Sequence, residues 1–391
     1  MSLFQQPVKK GNGMTAFDEL EKHYHQRDIT ARQWKKNGGK VVGYFCDNVP
    51  EEFILSAGLF PFRLSGDPLG ETEKVGFYSE QGNVFSREGF SASMLHMILH
   101  GRYDFLDYLI IPHARDSIHR LYTTLISLKE TDPTLNLPEL CYLDNLHTTF
   151  YSAGIYNRKR WLELKERLEE WTGRKITKDR LSQSIDITNE NKSLLKKMTA
   201  LRTADPPRIS GVEALQIIGS SMFMSKEEHS KLLKEYLDGA EQLPAKNGVR
   251  LFAEGSPLDN LQLYEIIESC QATVVAEDNC WGNRYSDVTI ERTLDPVEAV
   301  IDRYNNKTPC SRMYPLSRRI EYCLQSVSEA KAEGVIFNIL RFDEIQAWET
   351  PDEIKALKEK NIPSLYLKDQ PYRITEPGAL KNRIEEFLKG L

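Results

Sequence analysis

The feature that most constrains this chain is a recurring unit. A short, unbroken apolar run is followed at once by cysteine, acid or histidine, and then by a helix start. Lys40-Val41-Val42-Gly43-Tyr44-Phe45 runs into Cys46-Asp47-Asn48, and Leu106-Asp107-Tyr108-Leu109-Ile110-Ile111 runs into Pro112-His113-Ala114-Arg115. Runs without polar alternation suit strands covered on both faces, as in parallel sheets. Strands separated by helices make βαβ units. Strands are therefore expected at 40–45, 59–63, 106–111 and 139–143, and again at 249–253, 272–276, 334–340 and 363–367.

Helix signals lie between them. Gly38-Gly39 closes a polar, helical start, with a further helix expected over 87–100. Pro50-Glu51-Glu52 reads as a first helical turn capped by Asp47 or Asn48, and Gly58 as its stop. Ser256-Pro257 and Thr350-Pro351-Asp352-Glu353 read as two more helix starts, and a last helix is expected from Pro377. Between about 155 and 245 the spacing is helical alone. Trp161, Leu164, Leu168 and Trp171 form one stripe; Leu181, Ile185, Thr188, Leu195 and Met198 form another after a cap at Thr177. The expected fold class is α/β: two lobes, each with a short parallel sheet flanked by helices, plus an α-helical segment between them. The expected boundaries are a helical segment at 1–39, a first lobe at 40–155, the helical segment at 156–245 and a second lobe at 246–391. The shared architecture of the two lobes hints at an old duplication.

Composition narrows the function classes. The chain has 391 residues, 40% hydrophobic and 28% charged, with a net charge of −6. That is globular, not disordered, and without the basic excess that marks nucleic-acid or anionic-membrane binding. No apolar run approaches the ~18 residues of a membrane span. The first residues lack the apolar core of a signal peptide, so a cytoplasmic location is expected. Six cysteines, with no CxxC pair, argue against a disulfide scaffold and a compact zinc site.

Open parallel sheets bind ligands beyond the carboxyl ends of their strands. In the first lobe that places Cys46-Asp47, His113-Ala114-Arg115 and Asp144-Asn145 at the cleft. In the second it places Glu254, Glu277-Asp278-Asn279-Cys280 and Arg341-Phe342-Asp343 there. The plainer alternatives are that the acids and His113 cap helices and that each cysteine is a small buried apolar residue. Cys141, Cys270 and Cys323 fall inside expected elements and read as core. No GxxxxGK[ST], GxGxxG after a strand, GxSxG or HExxH is present. His96 and His100, four apart on a helix, have ligand spacing but no carboxylate helper, which favours a packed helix face.

Several segments resemble the 2-hydroxyacyl-CoA dehydratase and benzoyl-CoA reductase subunit family. They are Gly43-Tyr44-Phe45-Cys46-Asp47-Asn48-Val49-Pro50-Glu51-Glu52, Ser56-Ala57-Gly58-Leu59-Phe60-Pro61-Phe62-Arg63, Tyr103–Asp107 through Pro112-His113, Asp116–Tyr122, Thr172–Thr177, Glu277–Arg284 and Ala347–Pro351. They occur in family order from 40 to about 370. The resemblance implies two α/β lobes with an oxygen-sensitive [4Fe-4S] cluster between them, near an acyl-CoA thioester. It also implies a homologous second subunit and an ATP-dependent iron–sulfur activator that supplies a low-potential electron.

By the same resemblance, cluster-bearing subunits carry cysteine in three places. Here Asn83-Val84-Phe85-Ser86-Arg87-Glu88 holds none, Arg115 stands at the second place, and Phe342 or Asp343 at the third. Neither guanidinium nor phenylalanine offers a thiolate. Arg115 and Asp343 are expected to form an ion pair where the cluster would sit. Cys46 and Cys280 remain as iron–sulfur candidates, while the cluster itself is expected in the partner subunit. His113, Arg115, Arg284 and Asp343 are the positional candidates for catalysis or CoA binding. The leading expectation is a subunit of an oxygen-sensitive acyl-CoA-processing enzyme, a ring reductase or a 2-hydroxyacyl-CoA dehydratase. The rival is a non-catalytic structural or regulatory subunit. A two-lobed binding protein of the periplasmic kind is a third reading, disfavoured by the absence of a signal peptide.

Overall fold

The computed structural model describes residues 15–70, 89–306, 310 and 313–391. Two four-stranded parallel sheets organise it. The first contains β1 (Val41–Tyr44), β2 (Phe60–Arg63), β3 (Tyr108–Pro112) and β4 (Glu139–Leu143) in the order β2-β1-β3-β4. The second contains β5 (Val249–Gly255), β6 (Ala272–Asp278), β7 (Gly334–Leu340) and β8 (Ser364–Gln370) in the order β6-β5-β7-β8. The two orders are the same once renumbered, as the shared grammar of the lobes suggests. All pairings are parallel, with Gly43 opposite Phe62 and Leu109, and Ala253 opposite Glu277 and Ile336.

The α/β reading in two lobes therefore holds, and the reason is burial. Every residue of β1, β2, β3, β6 and β7 is buried. Strands covered on both faces need continuous apolar sequence, which is what makes them readable. The edge strand β4 is less covered, as is β8 at the edge of the second sheet.

Several helices obey their local signals. Thr177 caps helix 178–203 by accepting from the Arg180 amide at 3.3 Å, and Gly58, at φ 80°, ends helix 51–56. Others do not. Asp47 and Asn48 do not cap helix 51–56: its N-cap is Pro50, without a side-chain cap bond, and the Asn48 amide donates to Asn145 Oδ1 at 3.0 Å. No helix starts at Ser256-Pro257; the next one begins at Gln262. Thr350-Pro351 is not a start either, because one helix runs from Glu344 to Glu359 with Pro351 inside it. Gln346, Thr350, Glu353 and Leu357 lie along one buried face of that helix. Burial of this stripe outweighs the one backbone hydrogen bond that a proline forfeits. The first of the three expected cysteine places, Asn83–Glu88, lies outside the described residues.

The long helices 151–172 and 178–203 pack on the first lobe through Trp161, Leu164, Leu168, Leu181 and Ile185. No helix among the described residues is long and apolar enough to cross a membrane.

Candidate functional site between the lobes

In a sheet of order 2-1-3-4, the chain leaves β1 and β3 in opposite directions, and the crevice opens beyond their carboxyl ends. Cys46 follows β1 and Arg115 follows β3. The second sheet repeats this with Ser256 after β5 and Asp343 after β7. Three of these positions meet directly. Arg115 Nη1 lies 3.6 Å from Asp343 Oδ2, so the ion pair expected from the sequence is present. Ser256 Oγ donates to Asp343 at 2.7 Å and accepts from the Leu340 amide at 2.9 Å. The serine that resembles a helix cap instead ties the end of β5 to that of β7 and holds the Asp343 carboxylate. The Arg115 guanidinium also lies 5.4 Å from the centre of the Phe90 ring.

A cavity of about 60 Å³ lies beside this pair, with Cys46, Asp47, Arg115, Cys280, Arg284 and Cys310 among its lining residues. Cys46 sits at φ 60°, a left-handed conformation uncommon for a residue with a Cβ. Arg63, the last residue of β2, is buried and lines the same cavity. Its Nη1 donates to the Cys280 carbonyl at 2.6 Å and its Nη2 to Cys280 Sγ at 2.8 Å. The guanidinium lies 4.4 Å from the centre of the Trp281 ring. Burial pushes the Cys280 thiol up to about 12 even though Arg63 works against it, so Cys280 is a thiol at neutral pH.

Cys310 is the opposite case. Burial works to raise it, but a hydrogen bond from His147, the charge of that ring and Arg284 bring it down to about 5. Arg284 pairs with Asp278. Behind them, Arg319 faces three carboxylates, Glu254, Glu349 and Glu353. One cation cannot balance three acids. Burial and then Glu254 hold Glu353 up at about 8, with Arg319 offsetting only part of the shift.

The sequence candidates thus divide. Cys46, Arg115, Cys280 and Arg284 line one cavity, and Asp343 joins it through Arg115. His113 does not join them. Its Nδ1 pairs with Asp144 Oδ1 at 2.9 Å, and Asp144 Oδ2 accepts from Tyr156 at 2.6 Å, in a partly exposed cluster. His96 and His100 stack with ring centres 4.0 Å apart, a packed arrangement. Cys323 is buried as expected, whereas Cys141 and Cys270 are only partly so. Sequence reasoning misses Arg63, His147 and Cys310. Arg63 carries a usable signal, since it ends a strand. The other two lie in irregular segments that only the folded chain brings together.

A larger cavity of about 610 Å³ adjoins this one. Ser65, Gly66 and Asn260 stand on its wall, and their chain neighbours Leu64 and Asp259 on the wall of the smaller. Arg27 and Arg102 also line the larger cavity.

The sequence profile of the 2-hydroxyglutaryl-CoA dehydratase D-component family matches residues 46–391. The chain belongs to this family. A benzoyl-CoA reductase subunit of Thauera aromatica is 27% identical, over 88% of this chain and 90% of its own length. The beta subunit of (R)-phenyllactyl-CoA dehydratase of Clostridium sporogenes is 24% identical, over 86% and 88%. The beta subunit of (R)-2-hydroxyglutaryl-CoA dehydratase of Acidaminococcus fermentans is 23% identical, over 96% and 98%.

Enzymes of this family use iron–sulfur clusters, and the residues present here do not fit one held in the usual way. By the resemblance, Arg115 stands at one of the three places where cysteine is expected and Phe342 or Asp343 at another, and Arg115 pairs with Asp343. The adjoining cavity has room for about four to six waters at ~10–15 Å³ each, fewer atoms than the eight of a four-iron cube. Cys280 is protonated and held by Arg63. Among the described residues, no three histidine, cysteine or acidic side chains are grouped so as to hold a metal ion.

Proposed function

We propose that this chain is the cluster-free subunit of a two-subunit acyl-CoA-processing enzyme, either a 2-hydroxyacyl-CoA dehydratase or an aromatic-ring reductase. The observation that carries this reading is the Arg115–Asp343 pair at 3.6 Å, set at the crevice where the family resemblance expects cysteine ligands. A homologous partner would hold the [4Fe-4S] cluster, and an ATP-dependent iron–sulfur activator would supply the electron. The chain's full-length similarity to subunits of CoA-ester enzymes supports the substrate class. So does the larger cavity. At about 610 Å³ it is in the size range of ligand sites (~300–1,000 Å³); Arg27 and Arg102 stand on its wall together with Asp28, Asp67 and Glu265.

A non-catalytic, regulatory subunit of such a complex is the second reading, and the same ion pair favours it. Anaerobic purification of the chain alone and with a homologous partner separates the possibilities. Iron and absorption near 400 nm only in the pair are the expected result. Iron in the isolated chain would overturn the cluster-free assignment. Turnover in the pair that is lost when the charge on the wall of the larger cavity is reversed by Arg102→Glu separates the enzymatic role from the regulatory one.

A further inference from the structure

The molecule carries an exposed apolar face that the function proposed above leaves without a task. Its first half follows β4, at the carboxyl end of the first sheet. Phe150 and Tyr151 stand at the start of helix 151–172, with Ile155 one turn on; all three are exposed, Tyr151 by 86%. Exposed Leu146 is tied to the same helix, because its amide donates to Asn157 Oδ1 at 2.7 Å. The exposed Tyr314 ring meets that of Phe150 edge-on, with centres 5.8 Å apart. Tyr314 also pairs with Thr148 in an isolated parallel bridge. These side chains therefore share one surface. The partly exposed cluster of His113, Asp144 and Tyr156 supplies polar groups beside it, as the rim of a protein interface does.

The second half follows β7, at the carboxyl end of the second sheet. Phe342, Ile345 and Trp348 are exposed, Trp348 by 82%. Ile345 and Trp348, three apart on helix 344–359, lie on one face of it. Phe342 is held at φ 67°, a left-handed backbone that bulky residues rarely adopt and that persists mainly at functional positions. The two halves meet at the crevice. Asp343, next to Phe342, pairs with Arg115 across it. Arg319, on the helix that follows Tyr314, pairs with Glu349, the neighbour of Trp348. An uncovered aromatic side chain presents roughly 150–250 Å², so the two halves together expose on the order of 1,000 Å². The largest apolar patch of an ordinary monomer is about 300–600 Å², and one side of a standard protein interface takes about 800 Å².

We propose that this face, which flanks the mouth of the crevice on both lobes, is where the homologous second subunit docks, with Tyr151 and Trp348 as its anchors. This rests on the reading that the chain is one of two subunits, and it adds the surface that joins them. Tyrosine and tryptophan are the residues on which binding energy most often concentrates. The area calls for a folded partner of domain size, because a short peptide cannot cover a face that extends over two lobes. A second copy of this chain would bring only another Arg115–Asp343 pair. The cluster-bearing homologue is the occupant that completes the enzyme, and docking there sets its surface against the crevice.

The test uses the full chain and the homologous subunit encoded beside it, mixed without oxygen, with the dissociation constant read by sedimentation. Tyr151→Glu and Trp348→Glu should each weaken the pair by about tenfold or more. The control is Leu391→Glu. Leu391 is also exposed, but it lies against Gly334 at the amino end of β7, away from the crevice, and its variant should bind as the wild type does. Hydroxyl-radical footprinting of the wild-type chain gives a reading that needs no variant to fold: Tyr151 and Trp348 should lose labelling when the partner is added. A pair that forms with both residues still labelled, and that both variants leave intact, overturns this proposal and leaves the subunit assignment standing. A dimer of this chain alone that Tyr151→Glu or Trp348→Glu breaks gives the face to a second copy and also overturns it. Failure of the wild-type chain to pair with the homologue at all overturns both.

Discussion

The Arg115–Asp343 pair shows how much chemistry the residue at a strand end decides. A cysteine there would present a soft ligand; arginine presents a fixed cation, and the carboxylate across the crevice is built to meet it. The Asp343 side chain is 4% exposed and that of Arg115 is 13% exposed, so each is hard to leave alone. Arg115→Ala strands a buried carboxylate with Ser256 as its remaining partner and should cost about 1–3 kcal/mol, less than a fully buried pair because 3.6 Å is a long contact. Asp343→Asn on the Arg115→Ala background should recover much of this, since the stranded charge is then gone. Urea unfolding of the two variants measures both. A double variant no better than the single one would show that packing of Arg115 on Phe90, not the charge pair, sets the loss. Cys310 belongs to the same scale but cannot be read in advance: nothing near Thr308-Pro309-Cys310 in the sequence points to a histidine 163 residues earlier, which only the fold supplies.

At the scale of elements, legibility follows burial. β1, β3 and β7 are readable because both of their faces are covered, and the crevice residues follow from what comes after each strand. Helix ends are less readable. Ser256-Pro257 and Thr350-Pro351 carry sound local signals, yet Ser256 serves Asp343, and Thr350 lies fully buried in mid-helix. Local capping preferences are worth about 1 kcal/mol, and a buried helix face or a cleft hydrogen bond outweighs them. Thr177 is the contrasting case, since its signal and its structure agree. Thr177→Ala should remove the bond to the Arg180 amide and cost about 1 kcal/mol, read as a lower urea midpoint with an unchanged slope. A loss within error of zero would mean that helix 178–203 is held by its buried face alone.

That helix is what joins the lobes, and it does so with buried charge. Near its end, Arg202 reaches the second sheet, its Nε donating to the Val274 carbonyl at 2.8 Å and its Nη2 lying 2.5 Å from Glu277. In its middle, Lys192 lies 3.1 Å from Glu52 and 3.8 Å from Glu51 on the first lobe, with Lys226 3.0 Å from Glu51. The hydroxyls of Tyr285 and Tyr304 donate to Glu51 and Glu52 at 2.8 and 3.0 Å. Glu51 and Glu52, which the sequence marks only as part of a first helical turn, are thus inter-element anchors, a role hidden by a separation of 140 residues between Glu52 and Lys192. Burial pushes the Glu51 carboxyl up, but Lys226 and Lys192 pull it down further, to about 2. The unfolded carboxyl titrates near its ordinary 4.5, so as pH falls the unfolded chain takes up the proton first. The stabilisation from Glu51 is therefore complete above about pH 5 and lost progressively toward pH 2. Lys192→Met keeps most of the side-chain volume and leaves two buried acids short of one cation, which should cost about 3–5 kcal/mol at pH 7. Because a protonated Glu51 no longer needs that cation, the gap between wild type and variant should narrow as pH falls below about 5. Urea midpoints taken from pH 7 down to pH 4 follow this gap, and one that stays constant across the series would assign the loss to packing at Lys192 and not to its charge.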